Sequence, residues 1–394
     1  MPDPDSSFQV GIAFWNGPLD RTRCPVSAAA SRYPACPTTE RSTGSCSPLD
    51  WGKLRHEGWF HNCAHHQLDD DDWIQLFIPD TKEPTMKPRC HFYCLSALVG
   101  TFMALIAPNN IQATEPKESI THSFLAMGSE TYILDGSGKS IWKYSHSSRD
   151  GWVLPNGNVV LALSKSKTDP GGAIVEVTRE GKEIFSFKGT QSEVNTVQAT
   201  DKDTFLLTEA GAKPRLLEVN REGKIVVEVA IDAQTNDHHL QTRMARKLAN
   251  GNYLVPQLLD RVVREYSPAG KVVWEVKTPH MPFTAIRLDN GNTLIGCTLG
   301  NLVIEVDDKG KTVWQLSNDD LPNKPINDAC GVQRLPNGNT VITSHHATTN
   351  QIKLFEVNRE KKILWTHTDD KRFGIHHFQI LDTGGKAHEG KPLR

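Results

Sequence analysis

The sequence predicts an all-β protein folded as a six-bladed β-propeller of four-stranded antiparallel blades. Three observations predict it: a Gly-Lys turn before an apolar strand recurs six times, a second turn interleaves with it, and the period is roughly 40 to 50 residues. Repeats of this length with several short strands are typical of propeller blades. The Gly-Lys copies begin at Gly138, Gly181, Gly223, Gly270 and Gly310, and a sixth copy at Lys361-Lys362 lacks the glycine.

The interleaved turn divides each repeat into two linked hairpins. Asn156-Gly157-Asn158 separates two apolar runs, and Asn-Gly in that setting is a strong hairpin signal. Equivalent turns lie at 250–252, 290–292 and 337–339, and Asp201-Lys202-Asp203 replaces the motif in another copy. Each repeat therefore contains four strands, here named a to d in chain order; in the last complete repeat they are 331–335, 340–344, 353–357 and 362–367.

Strand c of the repeats alternates apolar residues with a glutamate. This period of two is typical of a strand with one buried face, and it predicts that the carboxylates point away from that face. The glutamates are Glu176, Glu218, Glu265, Glu305 and Glu356.

The two ends of the repeat region complement each other. The first repeat begins at strand b, at 122–127, and lacks strand a, whereas 374–381 follows the last repeat and resembles a strand a. The C-terminal strand is therefore predicted to complete the first blade, which closes the ring without exposed sheet edges. The predicted blades span 122–146 plus 374–384, 150–188, 192–231, 239–279, 282–318 and 329–368.

The composition changes near residue 114, and the propeller domain is expected over 114–394. Residues 86–113 have a basic start, an apolar run of about 16 residues and a small-residue end, which predicts a cleaved signal peptide rather than a membrane span. Residues 1–85 are then an upstream, non-native and disordered extension. The expected product is an exported monomer, periplasmic or extracellular, with no integral membrane span in the mature form.

Charge and cysteine content narrow the partners. The formal net charge is -2 and the repeats contain no basic cluster, which argues against nucleic acid as a partner. Cys297 and Cys330 are the only cysteines after residue 113, and the sequence leaves open whether they form a disulfide or two buried thiols.

Histidines mark one face of the predicted ring. They avoid the a–b and c–d turns, which lie on one side of a propeller, and collect in the variable d–a and b–c loops on the other, where binding residues concentrate. Residues at corresponding places before the a–b turn predict a polar ring at the mouth of the central channel. The candidate ligand-binding residues are His146, Gln191, Asn195, His239, Arg243, His280, Asn327, Asp328, His345, His346, His376 and His377.

Three functions fit this face. The preferred one is binding of a small polar ligand, such as a sugar, a peptide or an anion. A group-transfer enzyme with a histidine nucleophile and a protein-interaction scaffold are the alternatives, so catalysis stays open. Histidines from three blades could hold a metal, but no close-spaced ligand motif such as HExxH is present, and no metal site is predicted.

Two segments carry a family resemblance. The run 305–314, Glu-Val-Asp-Asp-Lys-Gly-Lys-Thr-Val-Trp, and the run 335–340, Leu-Pro-Asn-Gly-Asn-Thr, resemble bacterial arylsulfotransferase-like propellers and the broader pyrroloquinoline-quinone-type repeat proteins. The resemblance extends over about 122–384. It implies a catalytic histidine on the central axis with supporting histidine and arginine, for which the candidates are His146, His239, Arg243, His280 and His376.

The chain also departs from these families. Quinoprotein dehydrogenases have eight blades and an adjacent cysteine pair, and neither is present here, so pyrroloquinoline quinone is not expected and no cofactor is predicted. The larger sulfotransferase-like proteins carry an extra N-terminal domain that the expected mature chain lacks.

Overall fold

Six antiparallel sheets form the blades of a β-propeller in the computed structural model, which describes residues 119–394. The predicted fold class is therefore confirmed. The expected extension 1–85 and the expected signal segment 86–113 lie outside the described residues. Within 119–394, no helix has the length and apolar character needed to cross a membrane.

The strands follow the predicted order a to d, with strand a at the centre and strand d at the rim. Blade 1 contains β24, β1, β2 and β3, and blades 2 to 6 take β4 to β23 in chain order. The strands are β1 His122–Met127, β2 Thr131–Leu134, β3 Ser140–Tyr144, β4 Ser148–Val153, β5 Val159–Leu163, β6 Ala173–Val177, β7 Glu183–Lys188, β8 Glu193–Ala199, β9 Phe205–Ala210, β10 Arg215–Val219, β11 Ile225–Ala230, β12 Arg246–Lys247, β13 Tyr253–Gln257, β14 Val262–Tyr266, β15 Val272–Lys277, β16 Met281–Arg287, β17 Thr293–Thr298, β18 Leu302–Val306, β19 Thr312–Ser317, β20 Val332–Arg334, β21 Thr340–Thr343, β22 Ile352–Val357, β23 Ile363–Thr368, β24 His377–Thr383 and β25 Lys386–Ala387. Two short 3-10 helices, His238–Leu240 and Asn318–Asp320, lie in the d–a connections.

The hydrophobic core lies between blades rather than inside any one of them. Strands b and c are buried on both faces, as in β5, whereas the rim strand β7 exposes most of its residues. The apolar clusters cross from one blade to the next; one of them joins Val160 of blade 2 to Leu207 of blade 3. Burial of apolar surface between neighbouring sheets is therefore what holds the ring together.

The repeated glycines occupy a backbone conformation that other residues avoid. Gly157 of an a–b turn has φ 86° and Gly310 of a c–d turn has φ 80°, both in the left-handed region. Where the glycine is absent, the conformation remains: Asp203 has φ 56° and Lys361 has φ 64°. The repeat in the sequence is thus a repeat of one turn geometry, a left-handed residue that closes the hairpin.

The strand c glutamates do point away from one apolar face, but the opposite face is buried as well. Each carboxylate is at most 8% exposed and meets a cation or an imidazole of the following blade. A buried carboxylate without its partner would be strongly destabilising. The pairs therefore favour this contact between neighbouring blades over any arrangement that separates the partners. The pairs are Glu176–Arg221, Glu218–Lys247, Glu265–Arg287, Glu305–Arg334 and Glu356–His122.

The C-terminal strand completes blade 1, as predicted. β24 pairs antiparallel with β1, with Phe124 opposite Ile380. Beyond the prediction, β25 adds a fifth strand on the channel side of β24. The residues after β25 then cross the lower end of the channel, where the amide of Arg334 donates to the Leu393 carbonyl over 2.9 Å.

Cys297 and Cys330 are both free thiols, and both are buried. Burial raises the pKa of Cys297 to about 12, so this thiol stays protonated at neutral pH. Of the two possibilities that the sequence left open, the structure has two buried thiols.

Candidate functional site

One residue of each blade, in the innermost strand or up to three positions before it, lies at the upper end of the channel, and these six form what we call the inner ring. Each lies eight positions before the left-handed residue of its a–b turn, as 149 precedes 157 and 243 precedes 251. In three blades the pairing of strands a and b shifts at this residue, a bulge that re-aims a side chain. The inner ring consists of Arg149, Asn195, Arg243, Phe283, Cys330 and His376.

A buried carboxylate lies beside one arginine of the inner ring. Glu193 is 3% exposed, and its carboxylate lies 3.6 Å from the Arg149 guanidinium and 3.1 Å from Nδ1 of His239. Burial alone would raise the pKa of Glu193, but Arg149, His239 and Arg243 outweigh it, so the pKa lies well below its usual value. Glu193 is therefore ionised and accepts a hydrogen bond from Nδ1–H of His239.

His239 is neutral in this setting. Burial is the main cause that lowers its pKa, and the charges of Arg243 and Arg149 add to it. Because Nδ1–H donates to Glu193, Nε2 of the neutral ring carries the lone pair.

On the opposite side of the inner ring, the aromatic side chains of His376 and Phe283 pack beside a second arginine, Arg243. His376 packs edge-on against Phe283 with ring centroids 4.7 Å apart, and the Arg243 guanidinium lies 5.8 Å from the centre of the same phenyl ring. Nδ1 of His376 lies 3.1 Å from the carbonyl oxygen of Arg149. Since a carbonyl only accepts, Nδ1 carries the proton and Nε2 the lone pair.

His376 is also neutral. Burial is the main cause that lowers its pKa well below the usual value, and the nearby His345, Arg149 and Arg243 act in the same direction. The positive charge at this end of the channel therefore comes from the two arginines and not from histidine.

A second buried carboxylate, that of Asp328, contacts the strand b end of blade 5 and His346. Asp328 has φ 72° and is 2% exposed; its carboxylate accepts from the Leu299 amide over 2.6 Å and from the hydroxyl of Thr298. Nδ1 of His346 lies 3.3 Å from the same carboxylate. The left-handed backbone at a non-glycine residue is held by this network of contacts.

His345 connects His346 to the inner ring. Its ring lies 5.0 Å from that of His346 and 5.0 Å from that of His376. The structure therefore brings together six of the residues predicted from the sequence, in one contact network: His239, Arg243, Asp328, His345, His346 and His376.

Asn195 lies in the inner ring but makes no hydrogen bond with any described residue. Both its Oδ1 and its Nδ2 are buried, and the residue is 0% exposed. A buried amide without partners is costly, so these two atoms are candidates for a bound polar group.

His377 belongs to a different site, one layer below the inner ring. There the Asp150 carboxylate meets Arg246 over 2.8 Å and Arg394 over 3.1 Å, and Nδ1 of His377 lies 3.4 Å from the Arg394 guanidinium. Arg394 also lies 4.1 Å over the Trp152 ring. The end of the chain thus fills the channel beneath the inner ring.

Besides His377, four predicted residues belong neither to the inner ring nor to the six-residue contact network. His146 and His280 are exposed, and His146 packs on Tyr144 of its own rim strand at 5.2 Å. Gln191 bonds to the backbone of Lys213, and Asn327 is exposed and donates to the His346 carbonyl. His146 and His280 lie eleven residues before the glycine of their a–b turns, where the chain is still crossing from the rim, whereas the inner ring lies eight residues before it.

Four residues of the inner ring and its contacts were missed as site residues by the sequence analysis: Arg149, Glu193, Phe283 and Cys330. Counting back eight positions from each turn glycine would have found three of them, since that offset selects Arg149, Phe283 and Cys330. Glu193 had no comparable signal, because its role depends on contacts with neighbouring blades.

The described residues hold no metal site, and concavities lie away from the inner ring. No group of three or more His, Cys, Asp or Glu side chains within 119–394 is arranged to hold a metal ion. Two concavities lie away from the inner ring: one of about 590 Å³ where blade 6 meets blade 1, and one of about 990 Å³ beside Gln191 and His238.

Comparisons with known proteins support the fold. The model of the family described as Mal s 1 allergenic protein-like matches residues 132–321. A protein of unknown function from Bacteroides caccae is 23% identical with a TM-score of 0.59, over 66% of this chain and 98% of its own. No match was found among curated proteins.

Two further solved structures show weaker likeness. The periplasmic gluconolactonase of Pseudomonas aeruginosa is 12% identical with a TM-score of 0.46, over 64% of this chain and 83% of its own. A catalytically inactive virginiamycin B lyase from Staphylococcus aureus with quinupristin is 11% identical with a TM-score of 0.47, over 67% of this chain and 94% of its own. The arylsulfotransferase-like and quinone-type resemblance is not confirmed by these matches. At these identities the likeness extends to the fold alone.

Proposed function

We propose that the protein binds a small polar ligand carrying an anionic group at the inner ring. The observation that carries the proposal is the pair of buried guanidinium groups, Arg149 at 3% and Arg243 at 1% exposure, which flank the neutral imidazole of His376. Arginine is the usual residue for recognition of carboxylate, sulfate or phosphate, since its fork of donors matches their oxygens.

Other groups at the same place suit a hydroxylated ligand. Glu193 is an ionised acceptor, the lone pair on Nε2 of His239 accepts, and the amide of Asn195 both donates and accepts. A sugar acid combines hydroxyl groups with one carboxylate, so it matches both sets of side chains. The ring of Phe283 provides the apolar surface on which the face of a sugar can pack.

The test is calorimetric titration of the full chain with D-glucuronate, with D-glucose as the uncharged control. We expect saturable binding of the acid and much weaker binding of the neutral sugar. Arg243→Gln should weaken glucuronate binding by at least about tenfold, the effect expected when a charge-assisted hydrogen bond is lost. Arg149→Gln serves as a second variant if Arg243→Gln fails to fold, as judged by circular dichroism.

Matched controls exist at the rim of the same face. His146→Ala and His280→Ala remove exposed imidazoles and should leave glucuronate binding unchanged. If these substitutions weaken binding while Arg243→Gln does not, the site is at the rim and the proposal is wrong. Inorganic sulfate and phosphate, titrated alone, show whether the anionic group suffices.

A second candidate function rests on His376. Its ring is buried and neutral, Nε2 carries the lone pair, and two arginines lie close by, so Nε2 can act as a nucleophile. In a sulfuryl transfer, Nε2 would form a bond to sulfur as the bond from sulfur to the phenolic oxygen breaks, and the phenolate would leave. A hydroxyl acceptor would then take the sulfuryl group, release its proton and restore the imidazole.

The group-transfer candidate has its own test. Incubation with an aryl sulfate such as 4-nitrophenyl sulfate should release 4-nitrophenol, and mass spectrometry should find sulfate on the peptide containing His376. His376→Asn should abolish both signals while glucuronate binding loses far less than it does in Arg243→Gln. Absence of phenol release by the wild-type chain would remove this candidate and leave the binding proposal intact.

A further inference from the structure

The larger of the two concavities outside the inner ring is a cleft of about 990 Å³ beside blade 3. The two d–a connections that flank blade 3 contribute Ser192 and His238 to its wall, and the b–c loop of that blade contributes Lys213. Its volume is within the range of sites for small molecules. None of these residues belongs to the inner ring, so the cleft is independent of the ligand site proposed above.

The cleft contains a serine hydroxyl that is hydrogen-bonded to an imidazole. Oγ of Ser192 lies 2.6 Å from Nδ1 of His238, and both residues are half-buried. In the imidazole tautomer with the lone pair on Nδ1, the hydroxyl group donates its hydrogen bond to that atom. A serine hydroxyl becomes a nucleophile when an adjacent base takes its proton, and the base must lie within hydrogen-bond reach. The pair therefore has the geometry of a nucleophile and its general base.

Neighbouring contacts fix the two segments that carry this pair. The next residue along each segment is paired as well, since Nδ1 of His239 donates to the Glu193 carboxylate over 3.1 Å. The buried side chain of Gln241 accepts from the Gly211 amide over 2.8 Å and donates to the Gly211 carbonyl over 3.0 Å. These contacts join blade 3 to the connection that leads to blade 4. The serine and the histidine are therefore held together before any substrate binds, as catalytic groups need to be.

The rest of the cleft suits an ester substrate. Ile231 and its apolar neighbours on the wall offer a surface for a short acyl chain. Lys213 lines the same cleft, and its ammonium forms no ion pair with any residue of 119–394. A cation near a carbonyl group can stabilise the negative charge that develops on the oxygen during acyl transfer. Arg215, the other cation of the cleft, is already paired with Glu209 and Glu228, at 2.8 Å each.

We propose that Ser192 and His238 act as nucleophile and general base in the hydrolysis of carboxylic esters with a short acyl group. The hydroxyl and the imidazole form the reacting pair, the apolar wall of the cleft receives the acyl chain, and Lys213 supplies a cation on the same wall. The activity uses no residue of the inner ring.

The reaction has two steps, and the substrates are the ester and one water molecule. Oγ of Ser192 forms a bond to the acyl carbon while Nδ1 of His238 takes the hydroxyl proton. The bond from the acyl carbon to the alcohol oxygen then breaks, and the alcohol leaves with that proton. Water attacks the acyl-serine and gives one proton to Nδ1. The bond from the acyl carbon to Oγ breaks, the carboxylic acid leaves, and Oγ regains its proton.

The experiment treats the full chain with a biotinylated fluorophosphonate, whose phosphorus forms a bond to a nucleophilic serine oxygen as fluoride leaves. We expect mass spectrometry to find the label on the peptide that contains Ser192. Ser192→Ala should abolish this label. His238→Gln should slow labelling by at least about a hundredfold, because a general base contributes that much or more. Hydrolysis of 4-nitrophenyl acetate should fall in the same two variants.

A second serine–histidine pair in the chain provides the matched control. Oγ of Ser145 lies 3.1 Å from Nδ1 of His146, but this pair is exposed, joins consecutive residues and lines neither concavity. The hydrogen bond is thus present there without the cleft. Ser145→Ala should leave both the labelling of Ser192 and the hydrolysis of the ester unchanged. Equal labelling of Ser145 and Ser192 in wild type would contradict the proposal, since the cleft would then have no effect.

Three further results would each overturn the proposal. Wild type takes up no label at Ser192; the label forms equally fast in His238→Gln that is folded by circular dichroism; or wild type hydrolyses 4-nitrophenyl acetate no faster than Ser192→Ala does. Glucuronate titration of Ser192→Ala separates this site from the inner ring, because we expect that affinity to be the same as in wild type. Failure of the ester test therefore leaves the binding proposal intact.

Discussion

At the scale of single residues, the offset from the turn glycine decides which side chains reach the channel. The sequence predicted six residues that the structure brings into one contact network, because histidines collect in loops that share one side of any propeller. It placed His146 and His280 in the ring, whereas the inner ring begins three residues later, at Arg149 and Phe283. Sequence periodicity shows which face of a strand is buried. It does not show at which residue a d–a loop reaches the channel, because that depends on the path of the loop between the rim and the centre.

Two buried neutral histidines predict how stability depends on pH. Burial is the main cause that lowers the pKa of His376 and of His377 well below 6.5. Below about pH 6.5 the unfolded imidazoles bind protons that the folded ones do not, so the free energy of unfolding falls as pH falls. Each histidine contributes a slope of about 1.4 kcal/mol per pH unit, and above pH 6.5 the contribution is constant.

The measurement is urea unfolding between pH 5.5 and 7.5. We expect His377→Gln to lower the slope of unfolding free energy against pH, below pH 6.5, by about 1.4 kcal/mol per pH unit. His280→Ala, which removes an exposed imidazole, should leave the slope as it is in wild type. An unchanged slope in His377→Gln would mean that His377 is protonated in the folded protein.

At the scale of strands, sequence patterns predicted the elements far better than their partners. Alternation of glutamate with apolar residues correctly identified strand c, since a strand places successive side chains on opposite faces. It could not show that Glu176 or Glu305 faces an arginine of the next blade, because that depends on how two sheets pack. The same limit hid the junction at Trp365, where His122 packs edge-on against the indole and pairs with Glu356.

At the scale of the whole molecule, the ring was predictable and the filling of its channel was not. The missing strand a in the first repeat and the spare strand at the end of the last one required closure by β24. Residues 388–394 show no strand or helix periodicity, so nothing predicted that they enter the channel. There, contacts with four blades hold the segment, through Lys391–Asp201, Leu393–Arg334, Arg394–Asp150 and Arg394–Arg246.

Loss of the Arg394 side chain should destabilise the entire ring. Arg394→Ala removes a fully buried guanidinium from Asp150 and from the Trp152 ring, so we expect the free energy of unfolding to fall by about 3 kcal/mol. Lys391→Ala is the matched control, since its pair with Asp201 is exposed and should change stability by less than about 0.5 kcal/mol. Equal effects of the two substitutions in urea unfolding would show that Arg394 does not support the ring.

The pairing of β24 with β1 also has a consequence for biosynthesis. Thr383 lies opposite His122, so 261 residues separate two neighbours in one sheet. During translation the ribosome releases blades 2 to 6 before blade 1 can be completed, and the early strand β1 must wait with one edge unpaired. Contacts so distant in sequence form slowly, and waiting strand edges attract other chains. Chaperone demand and aggregation should therefore concentrate in the interval between synthesis of β1 and arrival of β24.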